Sequence, residues 1–269
     1  MTPEVHSGAA KPRPPRVVME AAKPKLIVVL TPTLGMFSAN WHVAMTQMAY
    51  PMNWQRGFIP GRDVVGGQIG QVRNKLVDIC FNLEKEKDVR IDYVMWLDDD
   101  VLVSKLCLLT LLAHEREVAA GVYFTKSDPA QPLIFPGPSA GTSPFLPDQC
   151  FDSWGYAQGL SVVKLDVYRE IIAAGIVEKD EYGNWEFYKQ PGLGFTPKGD
   201  LITGGTEDFH FFDLLNKIGV VPLVDCTKHA FGFHFDAREW TGYPVEQWRA
   251  WEKQEPVVWR TKDGDVTWT

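Results

Sequence analysis

The densest chemistry in the chain is Leu97-Asp98-Asp99-Asp100-Val101. Three adjacent carboxylates repel one another, and a divalent cation is the usual relief. An all-oxygen donor set favours Mg²⁺ or Mn²⁺ over softer ions. Asp98 and Asp100 stand one residue apart, so they share a face and can serve a metal and a nucleotide together. The plainer alternative is a solvated acidic turn that caps the next helix. A second pair of acids, Thr206-Glu207-Asp208, opens a helical pattern. Such acids either favour the helix dipole and cap free N–H groups, or provide a general base that takes a proton from a hydroxyl. His229 and His234 follow within Cys226 to Asp236. A neutral imidazole is a normal companion of carboxylates at a divalent metal. His234, preceded by Gly232-Phe233, is preferred, and the other histidine is read as a surface or packing residue. Gly66-Gly67-Gln68 ahead of Arg73-Asn74 places glycines at a helix start, where a phosphate can approach and Arg73 can add a charge-assisted bond.

The elements that must position these groups are legible as alternating strands and helices. Leu26 to Leu30 and Tyr93 to Leu97 are continuous apolar runs, which read as strands covered on both faces. Ile69, Val72, Leu76, Ile79 and Leu83 recur at helical spacing, and Leu106, Leu109 and Ala113 suggest another helix. Val118 to Phe124 and Tyr156 to Lys164 read as strands, and Asp166 as the cap of a helix running toward Gly175. A last helix is expected from Glu207, with Phe211, Leu214, Leu215 and Ile218 as its stripe and Gly219 as its stop, before Val220 to Val224 returns to the sheet. The pattern predicts an α/β fold, an open and mostly parallel central sheet flanked by helices. The acid triplet then emerges at the carboxyl edge of its strand, where such sheets bind ligands. Ser127 to Pro147 is read as a surface excursion. The aromatic stretch Glu181 to Gly205 is long enough to be a lid or binding loop, and its rings up to Phe195, with Trp154 and Tyr156, serve either as flat stacking faces or as ordinary packing.

With 269 residues, 45% hydrophobic, 23% charged and a net charge of −7, the chain is globular and long enough for a real core. No apolar run reaches the roughly 18 residues of a membrane span. Residues 1–25 form a basic, Pro-rich tail without the apolar region of a secretory signal. Residues 26–236 read as one catalytic domain, and residues 237–269 as a Trp-rich extension packed on it. The four cysteines are far apart, which suggests a reducing, cytoplasmic setting. Neither G-x-G-x-x-G nor G-x-x-x-x-G-K-[ST] occurs, so a Rossmann dinucleotide site and a P-loop are unsupported.

Taken in order, these pieces resemble the GT-A fold glycosyltransferases, the nucleotide-sugar-dependent enzymes with a D-x-D motif, and most of all their compact bacterial and phage-type members. The resemblance runs from Leu26 to about His234. It rests on the strand ending in Thr31-Pro32-Thr33, Arg73-Asn74, Asp98-Asp99-Asp100, Gly121-Val122-Tyr123, Gly159, Glu207-Asp208 and the late histidine. It implies that Thr31 and Thr33 line the base and ribose pocket and that Arg73 approaches the base or diphosphate. Asp98 would hold the ribose or a metal-bound water, with Asp99 able to take one of these roles. Asp100 would ligate Mn²⁺ or Mg²⁺, with His234, or else His229, completing its shell. Asp208 would be the base of an inverting transfer and Glu207 its neighbour at the acceptor. The implied donor is a nucleoside-diphosphate sugar, with UDP-sugars favoured. The acceptor hydroxyl would belong to a glycan, a small molecule, a protein or a hydroxymethylated DNA base, in the cytoplasm, or the host cytoplasm for a viral protein. Two other readings stay open: a nucleotidyltransferase, and a non-catalytic sugar or nucleic-acid binding module on the same scaffold.

Overall fold

The computed structural model describes residues 25–33, 37–61, 69–138, 141–189, 194–195, 201–202 and 206–269. The basic tail up to residue 24, Gly66-Gly67-Gln68 and most of the stretch 190–205 lie outside them. In chain order the elements begin with β1 (Lys25–Pro32), α1 (Ala39–Gln47), β2 (Trp54–Gly61), α2 (Ile69–Lys87), β3 (Tyr93–Leu97), β4 (Val101–Val103), α3 (Cys107–Ala113) and β5 (Val118–Gly121). The middle holds β6 (Ile134–Phe135), β7 (Cys150–Asp152), β8 (Gly155–Tyr156), β9 (Leu160–Lys164), α4 (Leu165–Ala173), β10 (Gly194–Phe195) and β11 (Leu201–Ile202). The chain ends with α5 (Glu207–Lys217), β12 (Leu223–Asp225), β13 (Gly232–Asp236), β14 (Thr241–Tyr243), α6 (Val245–Glu252), β15 (Val257–Thr261) and β16 (Gly264–Trp268).

The main sheet has the order β2-β1-β3-β9-β5-β12-β7. β2, β1, β3, β5 and β12 run one way, while β9 and β7 run against their neighbours. The fold is therefore mixed α/β around a large, mostly parallel sheet. Its central strands bury both faces, as their unbroken apolar runs require: Ile27 to Leu30 and Val94 to Leu97 are at most 3% exposed. A second, three-stranded sheet, β14-β13-β4, stands at the carboxyl edge of β3. It is the continuation of the acid turn, because β4 starts at Val101, immediately after Asp100.

Several sequence expectations are redrawn, each for a local reason. The strand expected over Val118 to Phe124 stops at Gly121, where a Cβ would lie 1.9 Å from the Ala230 carbonyl oxygen. The backbone of residues 230–232 crosses there, and Val122 O accepts from Gly232 N at 2.9 Å. The strand expected over Tyr156 to Lys164 is broken into β8 and β9 by Ala157 to Gly159. Asp166 does not cap α4; Lys164 holds the N-cap position and Asp166 lies in the first turn, paired with Arg90 and Arg169. Nor is α5 the last helix. The Trp-rich segment contributes β14, α6 and the hairpin β15–β16, and it buries Trp248, Trp259 and Trp268. Trp259 stacks on Phe124 and Trp268 meets Phe231 edge-on, so this segment covers the side of the small sheet. Among the described residues no helix is long and apolar enough to cross a membrane.

Candidate active site

The acid triplet turns out of β3 at the rim of the main sheet. Asp98 N still donates to Gly159 O at 3.0 Å, one step beyond the Leu97–Leu160 pair, and its own carbonyl accepts from Trp41 Nε1 at 2.8 Å. These two bonds fix the backbone, so the side chain can be aimed. The Asp98 carboxylate faces Arg73 Nη2, which donates to Oδ1 at 3.0 Å and Oδ2 at 3.3 Å. Its other side is closed by Gly159. A Cβ at Gly159 would lie 2.2 Å from Asp98 Oδ2 and 2.6 Å from the Tyr123 hydroxyl. The break between β8 and β9 thus serves the site: it brings a residue without a side chain against the carboxylate.

Arg73 is the hub. It is 1% exposed, on the buried face of α2, with its guanidinium over the ring of Trp96 at 5.2 Å. Besides Asp98 it approaches Glu207 Oε1 at 3.6 Å and Asp208 Oδ1 at 3.9 Å through Nε. Burial alone would lower its affinity for a proton, but the charges of Asp98, then Asp208 and Glu207, raise it instead. Arg73 is thereby turned inward to three carboxylates and away from the surface where a diphosphate could reach it. Asn74 supports the same region. It exchanges two hydrogen bonds with the Tyr188 backbone at 3.0 and 2.9 Å.

Glu207 and Asp208 open α5, whose N-cap Thr206 makes no side-chain capping bond. Asp208 Oδ2 accepts from Gln158 N at 3.2 Å across to the β8–β9 break. Its Oδ1 is buried and has no hydrogen-bond partner among the described residues. Burial raises the Asp208 carboxyl to about 8, against the opposing pull of Arg73 and with a further push from Glu207. A carboxyl held near neutrality, with one oxygen uncommitted, has the properties of a general base.

Asp100 faces the other way, toward the small sheet. Its Oδ2 lies 2.6 Å from Lys126 Nζ and 3.3 Å from His234 Nε2. His234 pairs with Val101 across β13 and β4, which sets the imidazole beside the acid turn. The Phe124 carbonyl can only accept, so His234 Nδ1, 2.8 Å away, must donate to it. A neutral His234 then presents a lone pair from Nε2 toward a carboxylate. That contact is attractive only with a proton or a cation between the two atoms. Either a proton on Nε2 or a divalent ion satisfies that contact; for an ion, Asp100 and His234 could serve as protein ligands, at an oxygen that Lys126 Nζ also reaches. Burial would raise the Asp100 carboxyl; His234, when its ring carries both protons, and Lys126 hold it down at about 2.

The remaining candidates divide. Asp99 is half-buried and accepts from Thr33, so the first strand and the acid turn are tied together. Thr31 is fully buried, and its hydroxyl has no hydrogen-bond partner among the described residues. His229 is exposed and away from the acids. It lines a cavity of about 340 Å³ with Phe231, Phe233, Trp251 and Trp268. Tyr156 is buried against Phe212 and cannot stack on a sugar, while Trp154 packs edge-on against Phe209 and Phe212. Sequence reasoning missed Trp41, Lys126, Gln158 and Tyr188. Lys126 alone carried a usable signal, as a lysine just past the expected Val118 to Phe124 strand.

No family model matches this chain, and no curated protein matches it. Among solved structures, the crystal structure of A197 from STIV is similar over 78% of this chain and 85% of its own, with 14% identity and a TM-score of 0.44. That likeness is too distant to bear on chemistry, so the functional reading rests on the side chains alone.

Proposed function

We propose that this chain is a metal-dependent glycosyltransferase that moves a sugar from a nucleoside-diphosphate sugar, with UDP-sugars favoured, to an acceptor hydroxyl. One observation carries the reading. A single buried guanidinium, Arg73, joins Asp98 of the acid triplet to Glu207 and Asp208, so the cation-type rim and the neutral-range carboxyl belong to one site.

The roles follow from exposure and partners. Asp100 and His234 would hold Mn²⁺ or Mg²⁺, and Asp98, whose side chain is 17% exposed, would reach the ribose or the ion's hydration shell. When bound, the ion neutralises the charge that develops on the departing nucleoside diphosphate. Thr33 and Asp99 form the floor of the nucleotide side, with Thr31 beneath them. Arg73 orients the three acids and does not touch the donor. The Asp208 carboxylate, whose side chain is 12% exposed, takes the proton of the acceptor hydroxyl as the hydroxyl oxygen attacks the anomeric carbon from the side opposite the leaving diphosphate, which makes the transfer inverting. Glu207 stands beside it at the acceptor.

The test is a set of nucleotide sugars, UDP- and GDP-linked, each with and without Mn²⁺, read by melting temperature and by nucleoside diphosphate release. A donor that binds the native state alone must raise the melting temperature. The expected result is a manganese-dependent rise and turnover with at least one donor, both lost in a folded Asp100→Ala variant. Unchanged turnover in Asp100→Ala with added Mn²⁺ overturns the proposal. Pyrophosphate release from a nucleoside triphosphate would favour a nucleotidyltransferase instead. Metal-independent sugar binding without turnover would favour a binding module.

A further inference from the structure

The cluster of His114, Cys150 and Asp225 shares no residue with the acid site, and its ligand atoms all lie within 4.8 Å of one another. Three elements supply it. His114 is the C-cap of α3, Cys150 opens the edge strand β7, and Asp225 ends β12 directly opposite Cys150 in the antiparallel register. Asp225 is the buried anchor, 1% exposed, while the His114 side chain is 25% exposed and Cys150 is exposed. The cluster therefore has an ordered base and an entrance from solvent.

The partners of Asp225 orient it for such a role. Oδ1 accepts from Thr227 N at 2.7 Å, which fixes the plane of the carboxylate. Oδ2 lies 2.7 Å from His114 Nε2. A carboxylate held from behind by a backbone N–H is the usual support of a metal ligand. A thiol, an imidazole and a carboxylate converging on one point form a mixed S/N/O set, which selects zinc-like ions over Mg²⁺ or Mn²⁺. We propose that His114, Cys150 and Asp225 bind a zinc-class divalent ion, with water in the fourth position on the exposed side of Cys150.

The geometry asks for little movement. Bonds of about 2.0 Å at tetrahedral angles place an N and an O ligand about 3.3 Å apart, so the His114–Asp225 pair opens by about half an ångström. His114 follows a short helix and Cys150 lies on an edge strand, so neither needs the core to shift. On binding, His114 Nε2 gives up the proton it shares with Asp225 while Nδ1 keeps the ring's remaining proton, and the Cys150 thiol proton leaves to solvent, so a neutral imidazole and a thiolate ligate the ion.

Co²⁺ is the probe, added to the full-length protein kept reduced by a phosphine. The expected result is a thiolate-to-cobalt charge-transfer band together with the intense visible bands of a tetrahedral ion, both displaced by Zn²⁺. Cys150→Ser and His114→Ala should each weaken Zn²⁺ binding by more than the roughly 10–100-fold that loss of an outer partner costs. Asp100→Asn should leave the spectrum intact, which separates this site from the proposed catalytic metal. Cys150 is exposed on an edge strand, so its serine variant keeps the fold, and circular dichroism checks this. Absence of the charge-transfer band in the wild type, or its persistence in Cys150→Ser, overturns the proposal. The pair His114–Asp225 would then be a plain hydrogen-bonded ion pair with a thiol nearby.

Discussion

Arg73 Nη2 donates to both oxygens of Asp98, at 3.0 and 3.3 Å, from a side chain that is almost wholly buried. The same guanidinium faces Glu207 and the largely protonated Asp208, so at neutral pH one positive charge offsets Asp98 and Glu207 and lies beside a third acid. Removing it leaves buried carboxylates uncompensated, a loss of about 3–5 kcal/mol for a broken buried pair. Arg73→Met should be destabilised by that order in urea unfolding, and less so as the pH falls and the acids protonate. Arg73→Lys keeps a charge but loses the fork that reaches three partners, so it should fall between the two. An Arg73→Met variant as stable as the wild type at neutral pH would show that the network is not a structural centre.

Gly159 offers a narrower probe of Asp98. Its Cβ in an alanine variant would meet Asp98 Oδ2 at 2.2 Å and Tyr123 at 2.6 Å, so the carboxylate must leave its position on Arg73. The strain is of the overpacking kind, about 1–3 kcal/mol. Gly159→Ala should fold and lose donor turnover, chiefly through weaker donor binding and so a higher KM. An unchanged KM would argue that Asp98 does not meet the nucleotide.

These two residues also show how far the sequence could be read. The strand before Asp98 was legible because a run buried on both faces has no alternation to hide, and the five residues Tyr93 to Leu97 are the observed β3. The acids of the site stood out because carboxylates announce chemistry by type, whereas the placing of His234 rather than His229 beside the acid turn comes from its pairing with Val101 on β4. The inward turn of Arg73 was not legible, since its direction depends on where α5 packs, a contact between residues more than 130 positions apart. The break at Gln158-Gly159 was hidden for a related reason. The residues around it are apolar enough for a strand, and the interruption is imposed by Asp98 and Asp208 across the rim. Tyr188 escaped notice because an aromatic in a non-periodic stretch reads as a surface group. Here its hydroxyl bonds Tyr168 at 2.7 Å and Gln158 Nε2 at 3.0 Å in the core.

Lys126 competes with any cation at Asp100, because its ammonium sits 2.6 Å from the same oxygen that faces His234. The side chain is 28% exposed and can swing away, but its charge opposes a divalent ion before it does so. Lys126→Ala should therefore shift the Mn²⁺ titration of donor turnover to lower metal concentration. Lys126→Glu should shift it further. If both variants instead abolish turnover at saturating Mn²⁺, Lys126 itself supplies positive charge to the diphosphate, and the ion is not what offsets it.

Asp208 ties activity to stability through its proton. The carboxyl is raised to about 8 in the folded chain and has an ordinary value near 3.8 when exposed. The folded state therefore holds a proton that the unfolded state has lost between these values. The stabilisation from this protonated carboxyl is complete below the unfolded value and is lost as pH rises through the folded one. Asp208→Asn mimics the protonated form at every pH. Its melting temperature should match the wild type below about pH 4, exceed it increasingly through the interval, and keep a constant lead above about pH 8. In the same variant, transfer to the acceptor should fall by about 10²–10⁴-fold, the range for loss of a general base. A gain in melting temperature that does not depend on pH would mean that the asparagine acts through packing, and a retained rate would remove Asp208 from the chemistry.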